Sequence, residues 1–249
     1  MNKYLLPASG VAGFLIIWQI VGAFQGDFLS SPTRMVGEIV YLTTEGGLIG
    51  LVLITLGTML IGWVLSIVIG VFVGFLIGRY RIMSVILEPY LIAKYSVPII
   101  ALVPLLVIWF GIEEGFLIAT IIIATAIMLV FPTAAGTKET VRTYDQVARA
   151  YSISGWHFFI KILLPGSLPF IATGLRISVQ RALMAVIVGE FLVGYNGLGT
   201  LLKDARIRLD ADEVFAVAFI ALLVGAVLTG AVGYLDRRLS SWRPVAVTS

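Results

Sequence analysis

Three ionisable residues, Arg176, Arg181 and Glu190, interrupt an otherwise apolar stretch at residues 168–193. An ionisable group in a segment apolar enough for a membrane is costly, and it usually serves a solute path or a specific partner. On a helix Arg181 and Glu190 lie about 180° apart, since each residue adds about 100°. We treat Arg181 and Glu190 as separate pathway candidates, with Arg181 preferred if the solute is an anion. Glu190 would otherwise anchor the outer end of the segment or bind a backbone amide.

Motifs for covalent or phosphoryl chemistry are absent from the sequence. It has no G-x-x-x-x-G-K-[ST] loop, no H-E-x-x-H and no G-x-S-x-G. It has no cysteine, and its one histidine, His157, is expected to be a surface or interface residue. We expect no enzymatic activity, no metal and no bound cofactor, so another subunit must supply any energy that the protein needs.

The composition is that of an integral membrane protein. Of 249 residues, 59% are hydrophobic and 12% are charged, whereas soluble domains are about 25% charged. The net charge of +3 is too small to indicate a nucleic-acid partner. Since a span needs about 20 apolar residues, we predict six spans, at residues 4–26, 46–78, 95–112 (begun near Met83), 115–137, 168–193 and 214–235. The first run is longer than a signal-peptide core of roughly 7–15 residues, so we interpret it as a retained span.

The charges between these spans predict their orientation. Basic residues mark the cytoplasmic side of a membrane. With both termini in the cytoplasm, the inside segments contain the basic residues Lys3, Arg79, Arg81, Lys138, Arg142, Arg149, Lys161, Arg237, Arg238 and Arg243. The outside segments are rich in acidic residues, namely Asp27, Glu38, Glu45, Glu113, Glu114, Asp204, Asp210, Asp212 and Glu213. Six spans with cytoplasmic termini satisfy this rule at every loop.

Small residues and prolines mark two of the predicted spans. Ser66, Gly70, Gly74 and Gly78 are four residues apart in the second span, and such a ladder lets another helix approach closely. Pro98 and Pro104 interrupt the third span. Broken helices often line substrate paths in transporters, but neighbouring helices also satisfy simple kinks, so both interpretations stay open.

A polar segment at residues 138–164 lies between the fourth and fifth predicted spans. It combines aromatic residues with Arg149 and Lys161, which suits short amphipathic helices. Pro165 is expected to end the helix, and Pro169 to begin the next. The segment would be an interfacial helix on the membrane or a docking helix for a cytoplasmic partner, with Trp156, Phe158, Phe159 and Ile160 linking it inward.

The stretch "QVARAYSISGWHFFIKILLPGSLPFIATGLR" resembles the signature cytoplasmic loop of binding-protein-dependent ABC transporter permeases. In that family the loop has Glu-Ala-Ala, three residues, Gly, and about a dozen residues to Leu-Pro, here Leu164 and Pro165. Three positions depart from the pattern: Gln146 replaces Glu, Val147 replaces Ala, and Ser152 replaces Gly. Gln146 keeps the hydrogen-bonding length of Glu but lacks the charge that a salt bridge at this position would need.

Three further segments are similar to the same family. They are "FLSSPTRMVGEI", "VPIIALVPLLVIWFGI" with its Trp-Phe-Gly end, and "GLRISVQRALMAVIVGEFLVGYNGLG" with Glu190 and Gly-Leu-Gly. Together they are similar to the permeases of nitrate, sulfonate and taurine importers, and they cover most of the chain.

The resemblance implies a type I ABC importer permease fold, an all-α domain over residues 1–249, in a bacterial or archaeal plasma membrane. It implies two permease subunits, expected as a homodimer in the lipid bilayer, two ATPase subunits that hydrolyse ATP, and an extracytoplasmic solute-binding protein. A coupling helix at about residues 144–154 would contact the ATPase. The implied coupling residues are Gln146, Val147, Ala148, Arg149, Ala150, Tyr151, Ser152, Ile153, Ser154, Leu164 and Pro165.

Two other classes of protein stay open on the residues alone. An ion-gradient-driven secondary carrier would need an intramembrane acid that titrates, for which Glu190 is the candidate. A structural membrane protein would show no solute-stimulated ATP hydrolysis in any complex. The mixed-charge segment 194–213 is expected to form a turn and a short amphipathic helix, a platform for the binding protein.

Overall fold

The computed structural model describes residues 5–25, 28–153 and 155–239. Some residues named in the sequence analysis lie outside this part of the chain. They are Lys3, Asp27, Ser154 and Arg243, and residues 4 and 26 at the limits of the first predicted span. The described part forms α-helices and one π-helical turn, with no strand, which confirms the all-α prediction. The bounds are α1 Leu5–Phe24, α2 Pro32–Thr44, α3 Leu48–Arg79, α4 Arg81–Tyr95, α5 Ile99–Phe110, α6 Glu114–Ala150, α7 Gly155–Phe158, the π-turn Phe159–Leu163, α8 Leu164–Val193, α9 Leu198–Arg208 and α10 Ala211–Leu239.

Four of the described helices are long and apolar enough to cross a bilayer, namely Leu48–Arg79, Glu114–Ala150, Gly155–Val193 and Ala211–Arg238. The pair Arg81–Tyr95 and Ile99–Phe110 passes the same test only if it counts as one span, and it bends by 103° at its break. The first predicted span corresponds to the shorter apolar helix Ser9–Phe24. The count of six spans and the cytoplasmic location of both termini stay predictions.

Several helix boundaries differ from the sequence prediction. Pro165 does not end a helix, and Pro169 does not begin one but lies inside α8, because helical structure continues from Gly155 to Val193. A π-turn comes immediately before Pro165, and the N–H of Leu164 donates to the carbonyl of Phe159. A π-turn spaces its bonds one residue further apart than an α-turn, which removes the close carbonyl that a proline ring meets inside an α-helix.

The predicted coupling helix at residues 144–154 is also not a separate element. Residues 144–150 are the last turns of α6, which begins at Glu114. No proline or glycine separates the apolar part of α6 from its polar end after residue 137, and Gly136 and Pro132 lie within the helix without ending it. The polar end of this segment is therefore one rigid extension of the fourth predicted span.

The chain divides into two compact units. The first unit contains Met1–Thr55 and Glu190–Val224, and the second contains Leu56–Gly189 and Gly225–Ser249. The first unit has a core of apolar side chains from several helices: Met35, Leu42, Leu48, Leu198, Ala216 and Val217. Trp18 packs against this core, and its indole N–H donates to the Ser30 carbonyl at 2.8 Å. Ser31 caps α2 by accepting the N–H of Arg34.

In the second unit, α3 and α6 pack along the small-residue ladder. A Cβ at Gly70 would lie 2.6 Å from the Ala126 carbonyl oxygen, and one at Gly74 would lie 2.6 Å from the Cβ of Thr133. Ser66 accepts a hydrogen bond from the Thr125 hydroxyl at 2.7 Å. The backbones of α3 and α6 approach closely because these positions lack bulk, so the packing role of the ladder is confirmed.

Candidate functional site

The end of α6 closes in a turn that orders the segment resembling the coupling loop. Ile153 donates its N–H to the Ala148 carbonyl at 2.8 Å, and Ser152 donates to the Arg149 carbonyl at 3.0 Å. This pair of bonds defines a Schellman motif, whose penultimate residue adopts a left-handed conformation. Here that residue is Ser152, with φ of 56°. The glycine of the family pattern is thus replaced at a position where backbone geometry favours glycine.

The buried face of the α6 end is anchored within the second unit. Ala148 is 3% exposed and packs with Phe75, Phe158 and Leu163 in one apolar cluster. The Phe75 and Phe159 rings meet edge to face at 5.1 Å. Phe158 and Phe159 therefore make the expected inward link. Trp156 is 69% exposed and stacks on the Phe159 ring, and Ile160 is 43% exposed.

Charge pairs fix the same end of the helix. Asp145 accepts from Arg149 at 2.7 Å within α6, and it lies 3.5 Å from Arg79 at the end of α3. The Arg79 guanidinium also lies 5.6 Å from the Phe158 ring centre. Gln146, which lacks the charge of the family's Glu, is exposed, and these charge pairs link the α6 end to α3 without it.

Next to the buried side of Ala148, the α6 end presents an apolar and exposed strip. Tyr144, Val147 and Tyr151 are 49%, 54% and 76% exposed, and their spacing places them on one face of the helix. The other predicted coupling residues are distributed around this face. One of them, Ala148, is buried. Three are half-buried, namely Ile153, Leu164 and Pro165, and four are exposed, namely Gln146, Arg149, Ala150 and Ser152.

Glu190 is fully buried in the first unit, where it holds the start of α9. Its Oε2 accepts the N–H of Gly199 at 2.9 Å and the hydroxyl of Thr55 at 3.0 Å. Thr55 in turn accepts the N–H of Leu198 at 2.9 Å. These N–H groups belong to the first turn of α9, where a helix has donors without internal partners. Glu190 thus acts as a helix cap contributed from α8 and binds a backbone amide, one of the roles left open above.

Beside α9, the first unit carries a group of acidic side chains. Arg34 lies 3.6 Å from Asp212, and Arg208 pairs with Glu213. Burial raises the pKa of the Glu38 carboxyl, and the charges of Asp210, Glu213 and Asp212 raise it further. The expected turn and short helix are present as residues 194–197 and α9.

A cavity of about 430 Å³ lies in the second unit, at the break between α4 and α5. Lys94, Pro98 and Arg181 are among the residues that line it. The sequence indicates Arg181 and Pro98 as pathway candidates but not Lys94, because Lys94 and Arg181 lie far apart along the chain and nothing in the sequence indicates that they line one cavity. The other pathway candidates lie elsewhere: Pro104 is an exposed residue within α5, and Glu190 caps α9.

The comparison with known families decides the class of this protein. Residues 66–241 match the protein family described as the binding-protein-dependent transport system inner membrane component. The chain belongs to this family. The permease is therefore a transport protein without enzymatic activity of its own, as the missing motifs predict, and the family gives no support to an ion-gradient-driven carrier.

Individual relatives agree with this assignment. The permease is 30% identical over 261 residues to the bicarbonate transport system permease protein CmpB of Synechococcus elongatus, across 97% of this chain and 88% of the relative. It is 31% identical over 251 residues to SsuC of Bacillus subtilis, which is named for aliphatic sulfonates transport, across 98% and 88%. A crystal structure of an amino acid ABC transporter with histidines matches with a TM-score of 0.64 at 13% identity, covering 80% of this chain and 97% of that chain. The last comparison shows a shared ABC transporter permease fold.

Proposed function

We propose that this permease forms the translocation path of an ATP-driven importer for a small anion, and that its ATPase subunit docks on the exposed end of α6. The observation that carries the docking proposal is the apolar face of Tyr144, Val147 and Tyr151. An exposed apolar face on a polar helix end is costly unless a partner covers it. Membership in an ABC transporter permease family supplies the kind of partner, an ATPase subunit.

The length of α6 supports an ATPase site outside the bilayer. Its 37 residues extend about 55 Å at 1.5 Å per residue, whereas the hydrocarbon core of a bilayer is about 30 Å thick. The residues of α6 before position 138 are long enough to cross the bilayer, so the charged residues after position 137 can lie outside it. Since α6 is continuous, displacement of its exposed end is transmitted into the span.

The contacts on the buried face give the coupling a second route. Asp145 connects α6 to α3 through Arg79, and Ala148 connects it to the returning helix through Phe158. A force applied at the exposed face thus reaches three spans at once. We propose two copies of the permease and two ATPase subunits per importer, with the homodimer as the simplest arrangement for a single kind of permease chain.

The solute and its delivery rest on the family and its members. The family depends on a binding protein, which we place on the α9 region of the first unit. CmpB is named for bicarbonate and SsuC for aliphatic sulfonates, both anions. We therefore propose that the solute is a small anion, imported across a bacterial inner membrane.

A charge placed on the apolar face tests the docking site. The full-length permease is co-expressed with its ATPase subunit, and Val147→Glu or Tyr151→Glu is introduced. We expect both variants to lose co-purifying ATPase and solute-stimulated ATP hydrolysis while remaining monodisperse in detergent. Val40→Glu is the matched control, since Val40 is 56% exposed on α2, and it is expected to keep both properties.

Ala148 aligns with an alanine of the family loop, so Ala148→Glu is an obvious test of docking. It is unsuitable, because Ala148 is buried against Phe75, Phe158 and Leu163 and a glutamate there would unfold the α6 end. Full ATP hydrolysis in both the Val147 and the Tyr151 variants would show that the ATPase docks elsewhere. Solute uptake by the permease alone in sealed vesicles, without nucleotide, would reject the importer itself.

A further inference from the structure

The cavity at the break between α4 and α5 is lined by two basic residues that have no part in the proposed coupling to the ATPase. Lys94 lines it from the last turn of α4, and Arg181 lines it from α8. No carboxylate is among the lining residues, and no ion pair involves Lys94 or Arg181 in the part of the chain that the structure describes. Two cations without counter-charges repel each other, so a bound anion would stabilise both.

The donors of these two side chains are available for a ligand. Lys94 is half-buried, and its ammonium donates one hydrogen bond to the main-chain oxygen of Ile123. An ammonium has three N–H donors and a guanidinium has five, so most donors of the pair are left over. The bond to Ile123 holds the Lys94 ammonium against α6.

The remaining lining indicates what kind of anion fits. Most of it is apolar and comes from α5, α6 and α8, including Ile99, Ile127, Met184 and Val188. A volume of about 430 Å³ falls within the range of small-molecule sites, which are mostly apolar with a few placed polar groups. A bare inorganic oxyanion would leave the apolar wall uncovered, whereas an organic anion would cover it.

We propose that Lys94 and Arg181 form an anion-binding site within the permease itself, selective for an organic oxyanion that carries a short apolar body. This inference rests on the proposed import function and adds a specificity step after delivery by the binding protein. The oxyanion contacts the ammonium and the guanidinium, and the apolar body packs against α5 and α8. The break at residues 96–98 leaves the first N–H groups of α5 beside the same cavity, where broken helices of transporters commonly meet substrates.

Direct binding to the permease–ATPase complex in phosphatidylcholine nanodiscs tests the site without requiring transport. The probes are butanesulfonate and its uncharged analogue butanesulfonamide, measured by isothermal titration calorimetry. We expect the sulfonate to bind and the sulfonamide to bind far more weakly. Lys94→Met and Arg181→Met should each weaken sulfonate binding by about tenfold or more, as expected for the loss of a charged hydrogen bond. Lys94→Arg and Arg181→Lys should retain most of the affinity.

Arg176→Met is the matched control, since Arg176 is an exposed residue of the same helix that does not line the cavity, and its affinity should equal that of the wild type. The inference fails if wild-type protein binds neither probe, or if the Lys94 and Arg181 variants bind as the wild type does. It also fails if phosphatidylglycerol occupies the site and the sulfonate cannot displace it, because the ligand is then a lipid. Failure of the import function shows separately, as absence of nucleotide-dependent uptake in the same preparation.

Discussion

The carboxylate of Glu190 accepts the backbone N–H of Gly199 at 2.9 Å, so the acid near the end of α8 is part of the structure of α9. Within the described residues its other oxygen, Oε1, has no hydrogen-bond partner. Gly197 packs so closely against this carboxylate that a Cβ there would overlap it. In the Gly-Leu-Gly sequence, Gly199 therefore donates a hydrogen bond to the Glu190 carboxylate, and Gly197 leaves the space that the carboxylate occupies.

Replacement of Glu190 should separate hydrogen bonding from charge. Glu190→Gln keeps one oxygen as an acceptor for Gly199 and Thr55. It also removes the charge at the helix start and replaces Oε1, which has no partner among the described residues, with an amide NH2, so we expect a loss of about 1 kcal/mol. Glu190→Ala leaves both donors buried without an acceptor, which costs about 2–4 kcal/mol. Thermal unfolding in detergent should therefore rank the wild type first, the Gln variant close behind and the Ala variant last. Equal loss in the two variants would mean that the charge, not the cap, is what matters.

Ser152 holds a left-handed conformation that costs a residue with a Cβ about 1–2 kcal/mol. Ser152→Gly restores the family residue and should raise the stability of the α6 end by about 1 kcal/mol, less the extra freedom of glycine in the unfolded chain. Ser152→Ala keeps the Cβ and should give no gain. The unfolding midpoint of the three proteins checks this ranking, and a gain in the Ala variant would point to the hydroxyl instead of the backbone.

Local signals were sufficient for much of this fold. Apolar runs predict long helices because hydropathy and helix formation depend on neighbouring residues. The four-residue spacing of small residues from Ser66 to Gly78 predicts that another helix packs closely along α3. Helix ends were less predictable. Pro165 indicates a stop on propensity alone, but a preceding π-turn accommodates it, and the effect of such a turn depends on packing around Phe158.

The candidate site depended on contacts that spacing does not reveal. Lys94 and Arg181 line one cavity at the break where α4 and α5 bend by 103°. Prolines 98 and 104 do not predict such a bend, because they are equally compatible with a mild kink. For Glu190 the sequence left pathway and anchoring roles open, since the acceptor geometry requires the turn at residues 194–197. The sequence motif also marks residues 146–152 as one group, whereas burial separates Ala148 from its exposed neighbours.

The predicted orientation can be tested directly because the chain has no cysteine. Ser152→Cys and Thr44→Cys each introduce a single thiol at an exposed position. In sealed cells, a membrane-impermeant maleimide should label position 44 from outside and position 152 only after access to the cytoplasm. The charge distribution between the predicted spans is the physical reason. Labelling of position 152 from outside would reverse the topology and remove the ATPase site from the cytoplasm.

The α3–α6 interface should be intolerant of a single methyl group at Gly70. A Cβ there would lie 2.6 Å from the Ala126 carbonyl oxygen, whereas a Cβ at Gly57 on the same helix meets nothing within 4 Å. We expect Gly70→Ala to destabilise the protein by about 1–3 kcal/mol, the usual cost of overpacking. Gly57→Ala should be neutral or slightly stabilising, because alanine has the higher helix propensity. Unfolding in detergent compares the two variants, and equal midpoints would show that the ladder does not hold α3 against α6.

Glu38 should make the first unit sensitive to pH. Burial and neighbouring acids raise the pKa of its carboxyl above the ordinary value of 4.5, so the folded state binds this proton more tightly than the unfolded state. The ionised carboxylate therefore opposes folding at neutral pH, and this opposition is lost as the pH falls. Glu38→Gln should raise the unfolding midpoint at neutral pH, by an amount that shrinks as the pH falls through the raised pKa and vanishes below 4.5. Glu45→Gln, which removes an exposed charge at the end of α2, should change the midpoint little at any pH. If Glu38→Gln lowers the midpoint at neutral pH, the Glu38 carboxylate stabilises the unit through a favourable pair that outweighs its burial and the repulsion from Asp210 and Glu213.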